Sequence, residues 1–171
     1  HCVTRRQRQM CIRDSCVGFM LSGCKIYSFT GANFDPNIKS ISVAYISNDA
    51  EGAPATVGDL LTEALKQKML TTNIPLQDGN GDLHFRGEII SYRYSIQAPA
   101  AGQTSEQKRI TMSISITSEN RINPEENWTK TFTRFIDFPA NEDLNVVEER
   151  LINALNTLIV EDVFNKSFVK W

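Results

Sequence analysis

The chain has 171 residues, 41% of them hydrophobic and 22% charged, which suits one domain with a single core and excludes wholesale disorder. The formal charge is -2, but Arg5, Arg6, Arg8, Arg13 and Asp14 give the first 23 residues a net of +3 and leave -5 from Cys24 onward. A domain that acidic is a poor general nucleic-acid binder. All four cysteines (Cys2, Cys11, Cys16, Cys24) fall in the first 24 residues, so the rest has no disulfide, cysteine metal site or thiol nucleophile.

The run from Val3 to Ser15 reads as foreign sequence joined to the end of a truncated signal peptide. The apolar run Cys16-Val17-Gly18-Phe19-Met20-Leu21 suits the end of a signal-peptide hydrophobic region. Leu21-Ser22-Gly23-Cys24 follows with the form of a lipobox: an aliphatic residue, two small residues, then a cysteine. Small side chains let the backbone lie in a peptidase cleft, and the thiol just outside the bilayer takes the lipid. Residues 1–23 are therefore expected to be leader and foreign sequence. The expected mature domain is 24–171, attached to lipid through Cys24. No later apolar run reaches the ~20 residues of a membrane span.

Residues 25–39 form a tether with turn signals at Gly31, Asn33, Pro36 and Asn37. Ile41, Val43 and Tyr45 alternate with small residues, which predicts a half-buried strand. Residues 48–54 read as a loop. A helix follows, capped by Thr56 with Asp59 three residues on. Val57, Leu60, Leu61, Ala64, Leu65 and Met69 form its apolar stripe. Ile74-Pro75-Leu76 suits a short strand, and Asp78-Gly79-Asn80-Gly81-Asp82 a glycine-rich turn. That turn lacks the glycine and glutamate spacing of a calcium loop, with Leu83 and Ile89 in their places.

Leu83, Phe85 and Ile89 share one parity, whereas Ile90, Tyr92, Tyr94 and Ile96 have the other. Either a bulge lies near 87–90 or both strand faces are covered. After a loop around Pro99, Ile110, Met112, Ile114 and Ile116 alternate strictly with Ser and Thr. Asn123-Pro124-Glu125-Glu126 turns the chain into a strand from Trp128 to Phe138, with Thr129, Thr131 and Thr133 on one face. The last element is a helix capped by Asn145 with Glu148, burying Val147, Leu151, Ala154, Leu155, Leu158 and Ile159. Val163, Phe164, Phe168 and Trp171 extend its apolar surface. The order β-α-β-β-β-α predicts an α+β fold: a two-layer sandwich with a roughly four-stranded sheet and two helices on one face.

His84 is the lone histidine after Cys24, and neither a nucleophile elbow nor a phosphate-binding glycine loop accompanies it. No catalytic residue, metal ligand or cofactor site is expected. Lys130 and Arg134 share a parity and could face an anion.

Residues 21–32, from Leu21-Ser22-Gly23-Cys24 to Gly31-Ala32, resemble the mature start of LptE-family lipoproteins of Bacteroidetes type. Residues 81–89 resemble the family's central strand and 160–168 its closing helix. The resemblance implies a sheet with two helices on one side. It implies a noncatalytic outer-membrane lipoprotein on the periplasmic side, partnering an LptD-like β-barrel in lipopolysaccharide export. It also implies that one sheet face meets barrel wall. Lipid A carries phosphates, and Arg86, Lys130 and Arg134 are the expected contacts, with Lys108 and Arg109 a second choice. The competing expectation is a lipid-anchored periplasmic binding module for another envelope ligand, with no barrel.

Overall fold

The fold, given by a computed structural model, is described over residues 35–98 and 106–169. Cys24, most of the tether, the loop around Pro99 and Trp171 lie outside the described residues. The elements are β1 (Ile41–Val43), β2 (Ser47–Asn48), α1 (Val57–Leu70), β3 (Leu83–Gln97), β4 (Gln107–Asn120), a 3-10 turn (Pro124–Glu126), β5 (Trp128–Pro139) and α2 (Leu144–Phe168). They form one five-stranded sheet in the order β1-β3-β4-β5, with β2 also on β3. The last three strands make the expected antiparallel meander. β1 and β2 run parallel to β3, so α1 supplies the crossover that parallel neighbours need.

The strand expected over 41–45 ends at Val43, and a second short strand follows at Ser47–Asn48, reaching into the expected loop. Ser42 is buried, against the alternation, and Tyr45 is exposed. The chain steps out of the sheet and rejoins it at β2, with the Asp49 N–H donating to the Ile89 carbonyl at 3.1 Å. Ile46 sits in that step, fully buried. Its N–H donates to the Thr62 hydroxyl of α1 at 3.0 Å, and that hydroxyl donates to the Gly58 carbonyl at 2.7 Å. Leu76 makes only an isolated bridge to Ile41.

The α1 N-cap is Thr56 as expected, though without a side-chain capping bond, and the α2 cap is one the sequence did not suggest. Thr56 enters α1 in helical backbone conformation and its side chain makes no capping bond. The α2 cap is Asp143, in extended conformation, whose carboxylate accepts from the Asn145 N–H at 3.0 Å. Asn145 is thus inside the helix. The α1 stripe buries Val57, Leu61, Leu65 and Met69, while Leu60 and Ala64 are half-buried. The α2 stripe is wider than expected and displaced. Ile152, Asn156 and Val160 are buried beside Val147, Leu151, Leu155, Ile159 and Val163, whereas Ala154 and Leu158 are exposed. The extra row faces inward because α2 packs on α1 as well as on the sheet.

The strand parity problem is solved by a bulge. The β3–β4 register shifts between Ile89 and Ser91, leaving Ile90 44% exposed. Beyond it Tyr92 pairs with the buried Met112 and donates its hydroxyl to Glu148 of α2 at 2.8 Å. Burial first, then that bond, holds the Tyr92 hydroxyl well above its ordinary pKa. Tyr92 and Tyr94 thus return to the helix side, and the two-sided apolar strand disappears. Ile110, Met112, Ile114 and Ile116 are all fully buried, so β4 carries the centre of the core. No helix among the described residues is long and apolar enough to cross a membrane.

Candidate functional site

The meander has two unlike faces, and register decides which side chain falls on which. Leu83, Phe85 and Ile89 of β3, the isoleucines of β4 and Phe132 and Phe138 of β5 meet the helices. The opposite face is polar. Its middle is a run of hydroxyls in which Ser113 pairs with Thr133 at 2.8 Å and Thr117 with Thr129 at 2.9 Å. Cross-strand bonds of this kind hold hydroxyls in fixed positions on a pleated surface. Charges border them. Arg109 grips Asp137 through two bonds of 2.6 and 2.8 Å, its guanidinium 3.8 Å from the ring of Phe135. The bonds from Arg109 hold the Asp137 carboxyl below the usual carboxylate range. Arg86 pairs with Glu119 at 3.0 Å. A recess of about 300 Å³ opens between Ser47, Arg86, Glu88, Ser115 and Thr117.

The larger concavity is a cleft of about 910 Å³ between β5 and the C-terminal part of α2. Its apolar lining includes Ile38, Trp128, Phe132 and Phe168. Trp128 meets Phe132 edge-on with centroids 6.0 Å apart. Three cations line the cleft: Lys130, Arg134 and Lys166. Arg134 is held by Asp162 of α2 through bonds of 2.6 and 2.5 Å, which raise its already high pKa. Lys130 lies 5.2 Å from the Phe132 ring centre and, like Lys166, has no carboxylate partner among the described residues. Asp35 and Glu126 are the other acidic residues of the lining.

The three cations expected to act together are thereby divided. Lys130 and Arg134 share the cleft on the helix side, whereas Arg86 lies on the hydroxyl face, opposite Thr117. The second-choice pair divides too. Lys108 donates to the Glu142 carbonyl at 3.1 Å beside Phe138, and Arg109 is on the other side. Sequence reasoning missed Lys166 and Asp162, which complete the cleft from α2. Their spacing of four along a helix that ends beside Phe168 was the available signal.

His84 has a structural role. Its Nδ1 lies 2.7 Å from the Ser42 hydroxyl, which also accepts the Gly81 N–H at 2.9 Å. This joins β1, β3 and the 78–82 turn. In that turn Asp82 accepts the Lys39 N–H and Asn80 accepts from Arg121, so both side chains serve the fold.

Two solved structures share this architecture. A minor lipoprotein from Acinetobacter baumannii is 15% identical, with 75% of this chain and 91% of that chain covered and a TM-score of 0.50. A protein from Xanthomonas campestris is 11% identical, with 78% and 87% covered and a TM-score of 0.50. At such identities the likeness is one of fold. No curated protein matches the sequence. The lipopolysaccharide-assembly model of the LptE family matches residues 38–167, from the segment before β1 to the last turn of α2. The match takes in the whole sheet, α1, α2 as far as Ser167 and most of the lining of the cleft between β5 and α2, and the chain belongs to the LptE lipopolysaccharide-assembly family.

Proposed function

We propose that this protein is an outer-membrane lipoprotein that partners an LptD-like β-barrel and helps insert lipopolysaccharide into the outer leaflet. The family match over 38–167 carries this reading. The polar meander face supports it physically. A barrel lumen is lined by polar side chains, and the hydroxyls of Ser113, Ser115, Thr117, Thr129, Thr131 and Thr133 would meet such a wall at little desolvation cost. An apolar outer face would not. Purification of the lipoprotein from envelopes in mild detergent is expected to bring a large β-barrel with it. Recovery of the lipoprotein alone would overturn the partnership and favour a barrel-free binding module.

Lipid attachment at Cys24 belongs to the same reading, with residues 24–171 as the mature domain on the periplasmic side of the membrane. Two or three acyl chains anchor stably where one is marginal, at ~0.8 kcal/mol per buried CH₂. Behind a complete signal peptide, the protein should take up a fatty-acid analogue, and Cys24→Ala should abolish the label. Label retained in Cys24→Ala would place the lipid elsewhere.

Lipopolysaccharide contact is proposed for Arg86, Lys130 and Arg134, and they are unequal candidates. Arg86 and Arg134 already hold Glu119 and Asp162, so a phosphate must displace a carboxylate. Lys130 need displace nothing. In binding measurements with purified lipopolysaccharide, Lys130→Ala should account for most of the loss seen in the triple alanine variant. Equal affinity and equal salt dependence in the triple variant and the parent would remove all three.

A further inference from the structure

The two edges of the sheet are built differently. On the β1 side the edge is broken into pieces of 3 and 2 residues with a step between them. Such an edge offers little to a neighbouring strand. β5, by contrast, is 12 residues long and pairs with β4 without a bulge from Trp128 to Pro139. No strand among the described residues pairs with its outer side. An edge strand of this kind presents unpaired N–H and C=O groups at regular intervals. The 910 Å³ cleft lies along it and is lined from both strand faces, by Lys130, Phe132 and Arg134 on one and by Thr131 and Thr133 on the other. The strand edge is therefore the floor of the cleft.

We propose that the β5 edge is a docking site where an extended acidic segment of a partner protein adds as a further antiparallel strand. The side chains on the floor define that segment. Read in its own direction, antiparallel to β5, its helix-side positions would meet Arg134, Phe132 and Lys130 in turn, and because Asp162 already holds Arg134 the complementary order is neutral, apolar, acidic. Lys130 and Lys166 have no carboxylate partner among the described residues, and Asp162 already neutralises Arg134. The positions between would meet Thr131 and Thr133, which suits small hydroxyl residues. Main-chain bonds supply affinity in this mode of recognition, and alternate side chains supply specificity. The docking does not depend on which envelope protein supplies the segment.

The test uses the full chain and the labelled peptide acetyl-Thr-Thr-Thr-Val-Thr-Glu-Thr-amide, followed by fluorescence anisotropy. The peptide is expected to bind and to slow amide exchange along β5 but not along β1. Lys in place of its Glu, or the double variant Lys130→Glu with Lys166→Glu, should weaken binding about tenfold. A peptide N-methylated on the amides of one edge should fail to bind, because it cannot extend the sheet. Equal binding by peptides N-methylated on either edge would overturn strand addition. So would no peptide binding together with quenching of Trp128 fluorescence by brominated anionic vesicles, which would make the cleft a lipid site.

Discussion

Replacing Asn156 by leucine should raise the stability of the domain by about 1–3 kcal/mol. Asn156 is 1% exposed on α2, and neither its amide nitrogen nor its amide oxygen has a hydrogen-bond partner among the described residues. It lies one turn from Ile152 and one turn from Val160, both buried, and next to the buried Leu155. An amide taken from water into such surroundings loses its solvent bonds and gains none, which costs free energy on every folding event. Leucine has the same number and branching of heavy atoms, with methyls bulkier than the amide oxygen and nitrogen, and it has nothing to desolvate, so the substitution removes the penalty without opening a cavity. Alanine would also remove the polar group, but it would leave a void and recover less. The measurement is a urea titration, in which Asn156→Leu should move the midpoint upward with an unchanged slope. A lower midpoint than the parent would mean that the amide is bonded in the folded protein, and would overturn the argument.

Asn156 also illustrates what the sequence could and could not disclose. A helical stripe is drawn by joining apolar residues, so a buried asparagine inside it is passed over and exposed residues such as Ala154 and Leu158 are drawn in. The true stripe is set by two partners at once, the sheet and α1, and only the assembled packing shows where their arcs overlap. β4 was legible because one of its faces is fully buried and the other wet, which imprints a strict period of two on Ile110 to Ile116. β2 was not, because two residues carry no period. The bulge after Ile89 was visible as a change of parity, but its result, Tyr92 turned to meet Glu148, depends on where α2 lies. The candidate contacts do not share one face, for a related reason. Parity relates residues within one strand, so Lys130 and Arg134 stayed together. Their relation to Arg86 depends on the β3–β4 and β4–β5 registers, which no single strand's pattern contains. The α2 side of the cleft depends on tertiary packing alone.

The central strand should be least tolerant at Gly87, where one added methyl is expected to destabilise the domain by about 1–3 kcal/mol. By intrinsic preference alanine is the better strand residue, since glycine in a strand interior gives up about 0.5–1 kcal/mol through its backbone freedom. The space around the residue reverses the sign. A Cβ at Gly87 would lie 2.4 Å from the Cδ1 of Ile116, its cross-strand partner, and 2.8 Å from the Ser115 carbonyl oxygen. The isoleucine methyl is the end of a side chain and could turn, but Ile116 is fully buried and any new rotamer must find room in the core. The carbonyl belongs to the β4 backbone and can yield only if the strands move. Relief should therefore come in two unequal parts. Ile116→Val removes the Cδ1 methyl and by itself should cost about 0.5–1.5 kcal/mol. Combined with Gly87→Ala it should cost less than the two changes separately, because the closer contact is gone, yet the double variant should stay below Ile116→Val because the carbonyl contact remains. Urea midpoints of the four proteins make this a double-mutant cycle. Strict additivity would show that Ile116 does not limit the site, and a Gly87→Ala variant as stable as the parent would show that the strands part there at no cost.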